Sequence, residues 1–198
     1  MWTPLFLKGI TIRFSKVVKI NKKQLILLQV FIMLLLFAGP ALAQQLTQDA
    51  IKRGKDYVNN GMYDQAIKEF GDAVKSDPKN SEAYYNRALT YQTMGNLSNA
   101  ISDYSKAIEF DPNNAEIYYN RGIAYYYNDL PDQAIADWSK AIELCPRCPE
   151  SYNRRAFAYF KKEEYDKSWE DVHKLEAMGH RLPAKFLQDL RKYSGREK

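Results

Sequence analysis

Displaced by 34 residues, this sequence matches itself, and that period constrains its fold more than any other feature. Asp77-Pro78-Lys79-Asn80 recurs as Asp111-Pro112-Asn113-Asn114, then around the same proline as Cys145-Pro146-Arg147-Cys148. Tyr84-Tyr85-Asn86-Arg87-Ala88 recurs as Tyr118-Tyr119-Asn120-Arg121-Gly122, and Ile101-Ser102-Asp103-Tyr104-Ser105-Lys106-Ala107-Ile108 as Ile135-Ala136-Asp137-Trp138-Ser139-Lys140-Ala141-Ile142. A fixed period of this size marks one small structural unit repeated along a stack, each copy burying a face it cannot bury alone. The units are 47–80, 81–114, 115–148 and 149–182.

Within a unit the apolar spacing is helical. Tyr84, Ala88 and Tyr91 share one face of a first helix, and Gly95-Asn96 breaks it. Ala100, Tyr104 and Ala107 form the face of a second helix, which Pro112 ends because proline lacks an amide donor and disfavours helix before it. Each unit is therefore predicted to be helix–turn–helix. Small residues at 66/100/134 and 73/107/141, all alanine, let paired helices approach. Phe70, Tyr104 and Trp138 are expected to fill the space between units, each worth about 1.5–3 kcal/mol on burial.

The first 43 residues stand apart. They hold Lys8, Arg13, Lys16, Lys19, Lys22 and Lys23 and no acidic residue, which leaves 23 basic against 24 acidic groups in the remaining 155 residues. The chain's net charge of +5 is thus local to its start, and the repeats offer no basic field for nucleic acid. An apolar run of 14 residues, Leu25 to Ala38, follows, then Gly39-Pro40, expected to break any helix, then Ala41-Leu42-Ala43. That order is a secretory signal peptide over 1–43, cleaved before Gln44. The run is shorter than the roughly 20 residues that span a bilayer. The competing reading is an uncleaved anchor over 25–43, and membrane contact is expected only through this segment. Either way the repeats are exported, to a bacterial periplasm or cell envelope.

The repeat residues resemble the tetratricopeptide repeat (TPR) family. Unit 1 supplies Ala50, Gly54, Tyr57, Ala66, Phe70, Ala73 and Pro78; unit 3 supplies Tyr118, Gly122, Tyr125, Ala134, Trp138, Ala141 and Pro146. Unit 4 keeps Tyr152, Ala156 and Tyr159, then drifts to Ser168, Val172, Leu175 and His180, as a terminal unit does. The resemblance covers 136 residues and implies an all-α, right-handed α-solenoid. Phe186, Leu187 and Leu190 after Pro183 make one apolar stripe, with Asp189, Arg191 and Lys192 off it. Residues 183–198 therefore read as a capping helix and tail, in preference to a membrane-surface helix.

Residues present in every copy belong to the architecture. Arg53, Arg87, Arg121 and Arg155 recur on the first helix, and Glu69, Asp103, Asp137 and Asp171 on the second. They are expected to form a ladder of exposed ion pairs, each stabilising little. The resemblance implies that first helices line a concave groove for a protein or peptide partner. By register its residues are Tyr85, Asn86, Leu89, Tyr119, Asn120, Ile123, Tyr126 and Tyr127, with Lys52, Lys55 and Asn59 from unit 1 and Asn153, Arg154 and Phe157 from unit 4. Tyrosine gives contact area at low entropic cost, and asparagine both donates to and accepts from a peptide backbone. An acidic preference in the partner would be met by Lys52, Lys55 and Arg154. One groove type in the family clamps a C-terminal carboxylate. Asn86 or Asn120 fits its middle asparagine, but Ile51 or Tyr85 and Glu116 or Glu150 stand where it needs lysines. That clamp is not expected.

Cys145 and Cys148 sit at the ends of an interrepeat turn, within disulfide reach. They read as a structural disulfide or two spectator thiols. A thiol–disulfide redox role is the alternative, without the βαβ context of such motifs. His173 and His180 have the wrong spacing for a zinc site with these cysteines. No Gly-rich phosphate loop or HExxH is present, so no enzyme, cofactor or metal is expected. Asn96-Leu97-Ser98 fits a glycosylation sequon, relevant only in a eukaryotic secretory pathway. A purely structural, self-assembling module is the third reading.

Overall fold

The computed structural model describes residues 21–196, without the side chains of 33–40, and these divide into two units, Met1–Gln45 and Leu46–Lys198. Among the described residues the secondary structure is helix, with no strand. Helix α1 spans Lys22–Asn59, and its part beyond residue 45 is the first helix of the first repeat. The pairs that follow are α1 with α2 (Tyr63–Ser76), α3 (Ser81–Thr93) with α4 (Leu97–Phe110), α5 (Ala115–Tyr127) with α6 (Pro131–Leu144), and α7 (Pro149–Lys161) with α8 (Tyr165–Ala177). A last helix, α9 (Ala184–Ser194), follows α8. The result is the all-α solenoid of helix pairs that the 34-residue period predicts.

The basic run through Lys19, and the side chains of the apolar run from 33 on, lie outside the described residues. The backbone through Gly39-Pro40 is described, and there the expected helix break does not occur: α1 runs on to Asn59. A proline inside a helix removes one hydrogen bond and clashes with one carbonyl. A long helix with intact turns on both sides absorbs that local loss.

The turn residues explain where the shorter helices begin. Asn80 Oδ1 accepts from the Ala83 N–H at 2.9 Å, and Asn114 Oδ1 from the Glu116 N–H at 3.1 Å, so each satisfies an otherwise orphan donor at a helix start. Pro131 and Pro149 occupy first-turn positions, where a missing N–H costs nothing. Within units 1 and 2 the chain turns through Gly61 and Gly95 at positive φ. Units 3 and 4 place Asp129 and Glu163 in the same left-handed region, at φ 57° and 62°.

The alanine rows at 66/100/134 and 73/107/141 are buried, as are Phe70, Tyr104 and Trp138. The large residues, however, pack first inside their own repeat. A Cβ added to Gly54 would lie 2.4 Å from the Phe70 ring, and one added to Gly122 would lie 2.6 Å from Trp138 Nε1. Trp138 Nε1 donates to the Tyr119 carbonyl at 3.1 Å, and Tyr104 Oη bonds Gln92 Oε1 at 3.1 Å. These residues thus wedge the two helices of one unit. Contact with the next repeat follows, as where Ala158 joins the Trp138 cluster. The expected role between units is corrected accordingly.

Helix α9 closes the stack. Leu182, Phe186 and Leu190 are buried against Trp169, Val172 and Leu175 of α8, with Leu187 half-buried beside them. Trp169 Nε1 donates to Ser194 Oγ at 3.1 Å. Pro183 stands at the N-cap, one position before the first turn.

Candidate partner-binding groove

Stacking determines which side chains remain for binding. The arginine ladder is formed, but three of its four rungs are not the exposed pairs expected. Arg87, Arg121 and Arg155 each reach both oxygens of Asp103, Asp137 and Asp171 through Nε and Nη2, at 2.6–2.9 Å. Those carboxylates are nearly buried, and the guanidinium groups of Arg121 and Arg155 lie between tyrosine rings, Tyr118 with Tyr125 and Tyr152 with Tyr159. Burial pushes Asp137 and Asp171 above the usual carboxylate range, and their arginines oppose it. Only Arg53–Glu69, with no repeat before it, is exposed as expected.

The ladder also stitches neighbouring repeats. Arg121 Nη1 donates to Ser105 Oγ at 3.0 Å, and Arg155 Nη1 to Ser139 Oγ at 2.8 Å, each serine lying on the preceding unit. The matching position before Arg87 is Gly71, where an added Cβ would sit 3.7 Å from Arg87 Nη1 without a clash. Gly71→Ser is therefore expected to stabilise the fold by about 1 kcal/mol, from helix propensity and the restored hydrogen bond. A urea midpoint unchanged or lowered would refute it.

The predicted groove residues fall into three neighbouring clefts. Lys55, Asn59, Asn86 and Leu89 share a cleft of about 300 Å³ with Val58, Phe70, Thr90 and Thr93. Ile123, Tyr126, Tyr127, Asn153, Arg154 and Phe157 converge on a pocket of about 170 Å³ with Trp138 behind them. Tyr119 and Asn120 line a wider cleft of about 650 Å³ toward the turns, with Glu116, Glu150 and the two cysteines. Lys52 lines none of the three.

Several predicted groove residues are already engaged. Lys55 Nζ pairs with Glu82 at 2.7 Å, so it is not a free cation. Tyr85 Oη donates to Glu116 Oε1 at 2.6 Å and accepts from Asn120 Nδ2 at 3.0 Å. Burial, then that glutamate, pushes the Tyr85 hydroxyl far above its ordinary pKa. Asn120 also donates to the Glu116 carbonyl at 3.0 Å, and Asn86 to the Glu82 carbonyl at 2.7 Å. With both amide hydrogens of Asn120 in use, its Oδ1 is left as an acceptor for a partner's N–H. The neighbouring phenols, Tyr119 first and then Tyr127, hold Arg154 above its ordinary value.

The sequence showed Glu116 and Glu150 only as misfits to a carboxylate clamp; Glu82, and the acidic edge that the three form, were missed. Glu82, Glu116 and Glu150 occupy one first-turn position in successive units, where the helix N-terminus favours them. Their 34-residue spacing was the available signal. Trp138 was also missed as a pocket wall, because a residue conforming to the repeat looks purely architectural.

Cys145 and Cys148 form a disulfide with Cα atoms 5.5 Å apart. In the two preceding turns the same positions are joined by a hydrogen bond, Asn80 Nδ2 to Asp77 at 3.4 Å and Asn114 Nδ2 to Asp111 at 3.0 Å. The covalent bond replaces that contact and forgoes the asparagine cap: Cys148 caps α7 with no side-chain hydrogen bond. This is a structural link, and nothing around it favours the redox alternative. Among the described residues no group of His, Cys, Asp and Glu is placed to hold a metal.

A TPR repeat family model matches residues 54–95 and 93–129, and a tetratricopeptide repeat model matches 115–148. Unit 4 lies beyond these matches. No curated protein matches the chain. Among solved structures, MamA is 26% identical over 67% of this chain and 78% of its own, with a TM-score of 0.65. The first TPR of Spaghetti (RPAP3), bound to the HSP90 peptide SRMEEVD, is 26% identical over 59% of this chain and 93% of its own, with a TM-score of 0.58. A tetratricopeptide repeat protein from Parabacteroides merdae is 22% identical over 76% and 61%, with a TM-score of 0.70, a likeness of fold.

Proposed function

The chain belongs to the tetratricopeptide repeat family, and from that premise we propose that it is a non-enzymatic scaffold that holds a segment of a partner protein in the groove of its first helices. One observation carries this reading. Positions used for stacking repeat from unit to unit, whereas groove positions vary: Lys52, Asn86, Asn120 and Arg154 in one row, Lys55, Leu89, Ile123 and Phe157 in the next. Architecture alone asks for no such variation at clefts it leaves open. A bound HSP90 peptide in a protein of this fold supports the same use.

Tyr119→Ala with Asn120→Ala is expected to abolish capture of the partner from the native source. Tyr119 packs beside Trp138, so the variant also loses about 1–2 kcal/mol of stability. Leu187→Ala, a comparable loss in the cap, should capture normally. Equal capture by the groove variant would sink the proposal.

The site of action we propose is the bacterial envelope, reached by export. The basic start and Ala41-Leu42-Ala43 support it, and so do Ile26, Leu27, Val30, Phe31 and Ile32, whose side chains are exposed rather than packed. The expected product is a mature chain beginning at Gln44, read by intact mass of envelope protein. A full-length chain whose repeats are protected from protease in intact spheroplasts would refute export.

A further inference from the structure

We infer that the pocket between the third and fourth repeats receives one large apolar side chain flanked by a single carboxylate, on an internal segment of the partner. This rests on the groove reading above and specifies its ligand. Ile123 and Tyr126 of α5 and Phe157 of α7 wall the pocket, and Trp138 closes it behind. At about 170 Å³ it admits a single side chain rather than a helix. An apolar recess of this kind takes an apolar anchor.

Arg154 on the rim supplies the second requirement. It lines the pocket together with Tyr127, a phenol that carries no charge. Four other cations of these two repeats are paired: Arg121 with Asp137, Arg155 with Asp171, Lys162 with Asp132, and Lys161 with Asp129 at 3.7 Å. Among the described residues no carboxylate lies within ion-pair distance of Arg154. A phenol hydroxyl has a proton of its own to donate. The rim therefore presents donors, and a carboxylate beside the anchor completes the charge.

The carboxylate belongs to a side chain rather than a chain end. The lysine positions of a terminal clamp hold Tyr85 and glutamates 116 and 150, and those glutamates would repel a chain terminus. The cleft of Tyr119 and Asn120 begins one turn back along α5, giving the partner's chain a path past the pocket.

The test offers the full-length chain two random libraries of 12-residue peptides, one with both ends blocked and one with free C-termini. Blocked peptides are expected to enrich at least about tenfold for Phe, Leu, Trp or Tyr within two residues of Asp or Glu. Arg154→Gln and Phe157→Ala should each weaken the enriched peptides by about tenfold or more, the scale of losing a charged hydrogen bond or a buried anchor. Enrichment without acidic residues, affinity unmoved by Arg154→Gln, or enrichment confined to free C-termini would each overturn the inference. If such peptides are still lost from the Tyr119→Ala, Asn120→Ala variant, the groove reading survives that result. No enrichment at all, or enriched peptides indifferent to that variant, overturns both.

Discussion

Asp171→Ala is expected to destabilise the repeats by about 2–4 kcal/mol, whereas Glu69→Ala, the same deletion three units earlier, should move the unfolding midpoint little. The two pairs are chemically alike and differ in setting. Asp171 is 2% exposed and accepts both arms of Arg155, whose guanidinium lies between Tyr152 and Tyr159 and against Ser139. Removing the carboxylate leaves that guanidinium desolvated without a counter-charge. Arg53, 54% exposed, keeps its water when Glu69 is gone. Urea unfolding of both variants reads the contrast. Equal losses would show that the ladder is a surface feature throughout.

Gly122→Ala is expected to cost about 2–4 kcal/mol, from overpacking and the loss of one buried hydrogen bond. The new methyl would lie within 2.6–3.0 Å of three atoms of the Trp138 indole. That ring is 1% exposed and tied to the Tyr119 carbonyl, so it has no free direction in which to swing. Unit 2 solves the same packing with Ala88 and Tyr104. Gly122→Ala combined with Trp138→Tyr should therefore recover part of the loss. A single variant that melts like the parent, or a double variant worse than the single, would refute the wedge.

Much of this was legible because repetition is a linear property. The helix pairs, the alanine rows, the arginine ladder and the cap follow from spacing, since a 34-residue period fixes which residues become equivalent. Spacing carries no information about depth. The ladder read as exposed because arginine and aspartate are usually surface residues, yet tyrosines three before or four after on the same helix lie over three of its four cations, and helix pairing buries their carboxylates. Phe70 and Trp138 read as filling between units because sequence does not say which neighbour a large side chain meets first. Gly54 and Gly122, lying 16 residues before them, held the answer once the helices were paired. Gly39-Pro40 read as a break because local propensity favours one, and a long helix overrode it.

The groove shows the same division. Thirteen of the fourteen residues named from register line a cleft or join the network between clefts, and Lys52 does not. What register could not rank was availability. Lys55 and Tyr85 are engaged by Glu82 and Glu116, acids brought near from the following repeat, while no carboxylate among the described residues pairs with Arg154. By itself the sequence determined the fold class, the pairing of helices and the face on which binding residues stand, because periodicity is geometry written along the chain. Only the tertiary structure decided which charges are buried, which wedge serves which repeat and which cation is left for a partner, because desolvation and pairing depend on residues brought together from different helices, some of one unit and some of the next.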